Sequence, residues 1–122
     1  MLRLVAAKWH MSIEQTEVVD IIGTDRMTGE VILTISDHLD WSNSTAHQVL
    51  LQDKLNRYLA FVESGEVLQC YPGSKGSAIV FSVVFKFPPD EEGRKFLERA
   101  RHVIESAGFA LRDRVSTGAT FN

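Results

Sequence analysis

The chain is poor in three features that would each assign a protein class: cysteine, long apolar runs and positive charge. Cys70 is the one cysteine among 122 residues, which excludes an intramolecular disulfide framework and leaves no cysteine pair for a structural zinc site. This cysteine usage fits a reducing cytoplasm best. No base or cation adjoins Cys70 in the sequence, so its thiol is expected to be buried as a small apolar group.

No apolar run approaches the roughly 18 residues of a membrane span, so no membrane association is expected. Lysine and arginine number 13 against 16 aspartate and glutamate, and the net charge of −3 gives no general attraction to a phosphate backbone. We therefore expect no nucleic-acid partner. The glycines and lysine of residues 73–76 lack the spacing of a phosphate-binding loop, and no complete cofactor or metal motif is present, so neither a cofactor nor a metal is expected.

The length fits one domain, which the apolar pattern places at residues 11–115. Residues 1–10 are expected to be an N-terminal extension, because they are too short for a secretory signal and Met11 is a more natural start. Residues 116–122 are expected to form a flexible tail. The sequence contains no internal repeat and no linker.

Hydrophobic periodicity predicts the order strand, strand, helix, strand, helix, strand. The first two strands, at 16–23 and 30–36, flank a polar turn and are expected to form an antiparallel hairpin. The third strand is predicted at 78–87 and the last at 109–115. This order indicates an α+β fold of two layers, in which two helices cover one face of a largely antiparallel sheet of about four strands.

The first helix is predicted to begin at the capping residues 42–44 and to run to Ser64, with Gly65 in the left-handed conformation after it. Its apolar face is Leu51, Leu55, Tyr58, Leu59 and Val62, while Gln52, Lys54, Arg57 and Glu63 can stay in water. The second helix begins at the acidic residues 90–92 and ends at Gly108. Its apolar stripe is Phe96, Leu97, Ala100, Val103, Ile104 and Ala107.

Several reactive side-chain types meet in residues 29–41, where an apolar strand runs into a polar loop. Ser36 and His38 would share a face if the strand continued, with Asp37 and Asp40 as orienting acids, and a hydrolase could use these types. A working nucleophile needs its base and an oxyanion site in a fixed geometry, and such groups usually come from separated segments. The residues therefore offer weak candidates for catalysis.

Asp37, His38 and Asp40 could also join His47 as metal ligands if the start of the helix folds over the loop, although this spacing matches no known site. The structural alternative gives the same residues ordinary roles. Ser36 or Asp37 would accept hydrogen bonds from turn amides, and His38 would be partly exposed. Trp41 would pack in front of the helix. Trp41 and His47 are the weak candidates for a binding role.

Four stretches resemble a small family of uncharacterised bacterial proteins over about residues 11–114. They are MSIEQ at 11–15, TGEVILTISDHLDW at 28–41, YLAFVESG at 58–65 and VFKFPP at 84–89. The resemblance implies no activity, substrate or catalytic residue. It implies a start near Met11.

No complete catalytic motif is present, so the sequence favours a cytoplasmic, non-enzymatic domain that acts by binding another protein or by self-association. We expect a homodimer, formed through the edge strand at 16–23 or through exposed aromatic surface. One alternative is a small hydrolase or metal-dependent enzyme that uses Ser36, Asp37, His38 and Asp40. Another, by analogy alone, is an immunity-type or regulatory partner protein.

Overall fold

The computed structural model describes residues 21–116, which form four strands and three α-helices in the order β1, β2, α1, α2, β3, α3, β4. The strands are β1 (Ile21–Thr24), β2 (Val31–Asp37), β3 (Ile79–Phe85) and β4 (Ala110–Val115), and the helices are α1 (Ser44–Glu63), α2 (Glu66–Cys70) and α3 (Glu91–Ser106). The fold class α+β is confirmed. The expected extension at 1–10 and the expected tail beyond residue 116 lie outside the described residues.

The hairpin of β1 and β2 is confirmed in its described part, where Ile21 pairs with Thr34 and Thr24 with Val31. Its turn is stabilised locally, because the Asp25 carboxylate accepts the amide of Met27 at 2.8 Å. Residues 16–20 of the predicted first strand lie outside the described residues.

The expectation of a largely antiparallel sheet is wrong. The sheet order is β1-β2-β3-β4, and both the β2–β3 and the β3–β4 pairs are parallel. The cause lies in the connections: α1 and α3 each carry the chain back to the edge where the preceding strand began, so the next strand runs in the same direction. Only β1, which a tight turn joins to β2, is antiparallel.

The main hydrophobic cluster lies on one face of this sheet, as the alternation along β2 predicts, although Val80 and Val84 of β3 are buried on the opposite face. Val31, Leu33 and Ile35 of β2 are fully buried in this cluster. The core side chains of the other strands and of the helices are Ile79, Phe81, Val83, Phe85, Leu111, Leu51, Leu55, Tyr58, Phe61, Val67, Phe96, Leu97 and Ile104. All three α-helices therefore contribute to one cluster. Among the described residues, no helix combines the length and the apolar character that crossing a membrane requires.

Several side chains differ from their expected environments, among them Ala107, which follows the end of α3 and is exposed. Lys54 is fully buried, with its Nζ 5.7 Å from the centre of the Tyr58 ring. The Cys70 thiol, expected to be buried, is exposed at the end of α2. Val103, assigned to the apolar stripe of α3, is 58% exposed. The apolar stripe of α3 is therefore wider than the surface that the rest of the protein covers, and it leaves an apolar side chain exposed to water.

An ion pair ties the start of β2 to β4 across β3. The Arg112 guanidinium donates to Glu30 Oε2 at 2.7 Å. This hydrogen bond holds the pKa of the Glu30 carboxyl below its ordinary value of 4.5, helped by the Thr28 hydroxyl, which donates to Oε1.

We predict that replacing Arg112 by glutamine raises the pKa of Glu30 back toward 4.5. Because the folded-state pKa is lowered, the pair stabilises the fold above the ordinary carboxyl pKa, and this contribution is lost as the pH falls through the folded-state value. Side-chain ¹³C NMR titration of both proteins measures the shift. Equal midpoints for Glu30 in the two proteins would contradict the prediction.

Candidate functional site

The predicted site residues lie at one edge of the sheet, which we call the carboxyl edge. Strands β2, β3 and β4 are parallel, so their carboxyl ends meet there, and α1 and α3 begin beside them. Open α/β sheets bind ligands at this edge, in the crevice formed where the strand order reverses. The described strands follow one another as β1-β2-β3-β4 and contain no such reversal.

Asp37 and His47 come together at this edge in a closed arrangement. Asp37 is the last residue of β2 and has no exposed surface, while His47 lies in the first turn of α1 and is 2% exposed. Asp37 Oδ2 lies 2.6 Å from His47 Nε2, and Asp37 Oδ1 accepts the amide of Leu39 at 3.1 Å. The turn-capping role expected for Asp37 is thus present, together with a buried partner ten residues along the chain.

The geometry places a hydrogen-bond acceptor on both sides of the His47 ring. Nδ1 lies 2.9 Å from the backbone carbonyl of Asp40, which can only accept, and Nε2 faces the Asp37 carboxylate. Each ring nitrogen therefore faces an acceptor, and the tautomer decides which of them donates. The distance of 2.6 Å to Asp37 is that of a strong hydrogen bond.

Trp41 covers this pair and joins it to α3. Its indole stacks on the His47 ring with centroids 3.7 Å apart and an angle of 18° between the planes. Its Nε1 donates to the carbonyl of Phe87 at 3.3 Å. The far side of the indole contacts Gly93, where a Cβ atom would lie only 2.7 Å from Trp41 Cζ3. We call Asp37, Trp41, His47 and Gly93 the Trp41 cluster.

A second set of hydrogen bonds joins the starts of the two long helices. Asp90 caps α3, accepting the amide of Gly93 at 2.8 Å, and also accepts the Ser44 hydroxyl of α1 at 3.1 Å. Gln48 in turn donates to the Ser44 hydroxyl at 3.1 Å. The helix starts are thus held together by polar contacts as well as by Trp41.

The side chains of Ser36, His38 and Asp40 do not join this pair. Ser36 stands opposite Val84 in the register and so points to the other face of the sheet from Asp37. His38 is exposed. The Asp40 carboxylate is exposed too, and the hydroxyl and amide of Ser42 donate to it, which lowers its pKa.

The arrangement gives little support to catalysis or to metal binding. Asp37 and His47 are a base and an acid in contact, but neither reaches solvent to meet a substrate. Among residues 21–116, no group of three or more histidine, cysteine, aspartate or glutamate side chains could hold a metal ion. The assignment of Ser36, Asp37, His38 and Asp40 to an enzyme stays a prediction that only an activity measurement can decide.

Sequence reasoning missed the structural partnership of Asp37 with His47 and the requirement for Gly93. A signal for the first existed: His47 extends the apolar face of α1 by one turn, since residues 47, 51, 55 and 58 follow helical spacing. A polar residue in that row is expected to have a buried partner. Nothing local to Gly93 could have shown that an indole from another segment packs against it.

Residues 11–117 match the model of a protein family described as a family of unknown function, DUF6572. Since this range spans most of the 122 residues, the chain belongs to that family, and the resemblance seen in the sequence is confirmed. The family description assigns no activity. Neither a curated protein nor a solved structure matches the chain.

We predict that Gly93→Ala destabilises the fold by about 1–3 kcal/mol, because the new methyl group overlaps Trp41. Alanine within a helix is otherwise favoured over glycine by up to about 1 kcal/mol, so the clash must outweigh that gain. In a Trp41→Leu background the overlap with the indole disappears and only the close approach to Asp90 Oδ1, at 3.1 Å, remains, so the same substitution is expected to cost much less. Urea unfolding of the four proteins gives the coupling; additive effects would contradict the predicted contact.

Proposed function

We propose that this chain is a non-enzymatic domain that binds protein through a groove between α1 and α3, which we call the α1–α3 groove. The groove encloses about 320 Å³ and is lined by four residues of α1 and five of α3. Its apolar lining includes the buried Leu55, Phe96 and Ile104, so it reaches down to the core. Val103 forms part of its rim.

The single observation that carries the proposal is apolar surface left exposed beside this groove. Val103 is 58% exposed, and Val49, one turn before the lining residue Gln52, is 52% exposed. Apolar side chains around a concave, core-connected surface are a recurrent feature of sites that accept an amphipathic helix. The volume is at the lower end for small-ligand pockets, and its open sides favour side chains of a partner helix over an enclosed small molecule.

The carboxyl edge supports the same proposal, because it offers little accessible space for a competing binding site. The carboxyl edge, where an open sheet would bind a ligand, is occupied by the Trp41 cluster. Asp37 and His47, the titratable residues of that cluster, are shielded from water. The proposal extends to the cytoplasm as the place of action, on the single cysteine of the sequence. Pairing through β1 stays a separate expectation; β1 lies at one edge of the described sheet.

We predict that a photo-reactive amino acid at position 103 forms protein adducts in the cells from which the chain comes. A matched control is position 105, which is exposed on the same helix but does not line the groove. Denaturing gels and mass spectrometry of the purified adducts give their yield and partners. We expect adducts from position 103 that a Leu59→Glu substitution in the groove removes, and equal yields at both positions would sink the proposal.

A further inference from the structure

We infer that the occupant of the α1–α3 groove is a second copy of this chain, which completes a four-helix bundle around a two-fold axis that runs along the groove. The inference rests on the proposed function and names the partner of that same site. It starts from shape. The surface carries an apolar groove together with exposed valines on both helices, Val49 on α1 and Val103 on α3. A two-fold contact needs one patch that complements itself in this way.

The charges on the two helices identify the partner more closely. Arg99 lines the groove on α3 and is exposed, and Asp53 is exposed on α1 beside the lining residue Gln52. Within residues 21–116 neither side chain makes a hydrogen bond or an ion pair. The neighbouring cations of α3 differ, since Lys95 pairs with Glu91 and Arg101 with Glu98. Arg99 and Asp53 are thus a cation and an anion without partners within residues 21–116, and both lie in the middle of the helices that border the groove, whereas the similarly unpaired Glu63 and Glu105 lie at or near the helix ends.

The heights of these two residues along the groove match. Asp53 is the tenth of the 20 residues of α1, and Arg99 is the ninth of the 16 residues of α3. Both helices begin at the carboxyl edge and run in the same direction. A two-fold axis along the groove therefore lays α1 of one copy over α3 of the other, and Asp53 of each copy faces Arg99 of its partner. The pair forms twice, because a two-fold contact is reciprocal.

The same arrangement accounts for the apolar rim. The two grooves face each other, so Leu59 and Val103 of both copies fill the centre of the bundle. Burying Val49 and Val103 from both copies supplies a hydrophobic contribution to association, while the two charge pairs set the register. A partner of unrelated sequence would need to supply an acid and a base at these same two positions.

Charge exchange on the purified full chain tests the inference by sedimentation velocity over a range of concentrations. The unchanged protein is expected to sediment with twice the mass of one chain. Arg99→Asp alone and Asp53→Arg alone each place like charges opposite each other and are expected to weaken the dimer by at least about tenfold. The double variant restores both pairs with exchanged signs and is expected to recover most of the affinity. Glu105→Arg, a charge reversal on α3 away from the groove, is the matched control and should leave the dimer unchanged.

A protein that is monomeric at every concentration overturns the inference, as does a double variant no tighter than the single ones. Circular dichroism of each variant checks that these exposed substitutions leave the fold intact. The proposed function fails separately. If the chain is monomeric while position 103 still forms adducts with a different protein, only the proposed identity of the partner is wrong. Equal adduct yields at positions 103 and 105 would instead refute the groove as the binding site.

Discussion

The buried hydrogen bond between Asp37 and His47 is the constraint on which the rest of this structure depends. Two ionisable side chains leave water at the end of β2, and such a pair is tolerated only when each partner has its hydrogen bonds satisfied. The amide of Leu39 and the carbonyl of Asp40 complete that set. Removing one partner alone would leave an uncompensated buried group, at a cost of about 3–5 kcal/mol. The first turn of α1 is therefore fixed against the end of β2.

The position of α3 follows from that of α1. His47 provides the surface on which Trp41 stacks, and Trp41 in turn occupies the space that a side chain at Gly93 would need. The Asp90 carboxylate adds a polar connection by accepting from Ser44 of α1 while it caps α3. The separation of the two helices is thus set at their starts, and with it the width of the α1–α3 groove. The α1–α3 groove thus depends on the Trp41 cluster, although no residue of that cluster lines the groove.

The sequence allowed the local elements to be predicted because each has its own signal. Alternation located β2 and β3, and the helical spacing and caps located α1 and α3 within a few residues. Strand direction depends on connections rather than on alternation, and two helical connections in succession should have indicated parallel pairing from β2 onward. The burial of Lys54 and the partnership of His47 depend on contacts between distant segments. Periodicity therefore placed Lys54 in water, which is wrong, and did not identify the hydrogen bond of His47 to Asp37.

For the candidate site too, the sequence predicted where the residues lie but not the contacts that they make with distant segments. All the residues that sequence reasoning selected lie at the carboxyl edge, where sheets of this kind generally keep their functional groups. In this fold the described strands never reverse their order, and the indole of Trp41 packs over the hydrogen-bonded Asp37 and His47 at the edge. Reactive residue types there serve to hold the helices. The apolar surface that this packing leaves uncovered lies between those helices, at Val49 and Val103, residues whose types carry no chemical signal. If the polar cluster serves the structure as proposed, the exposed apolar side chains of the two helices are the surface on which binding should be sought.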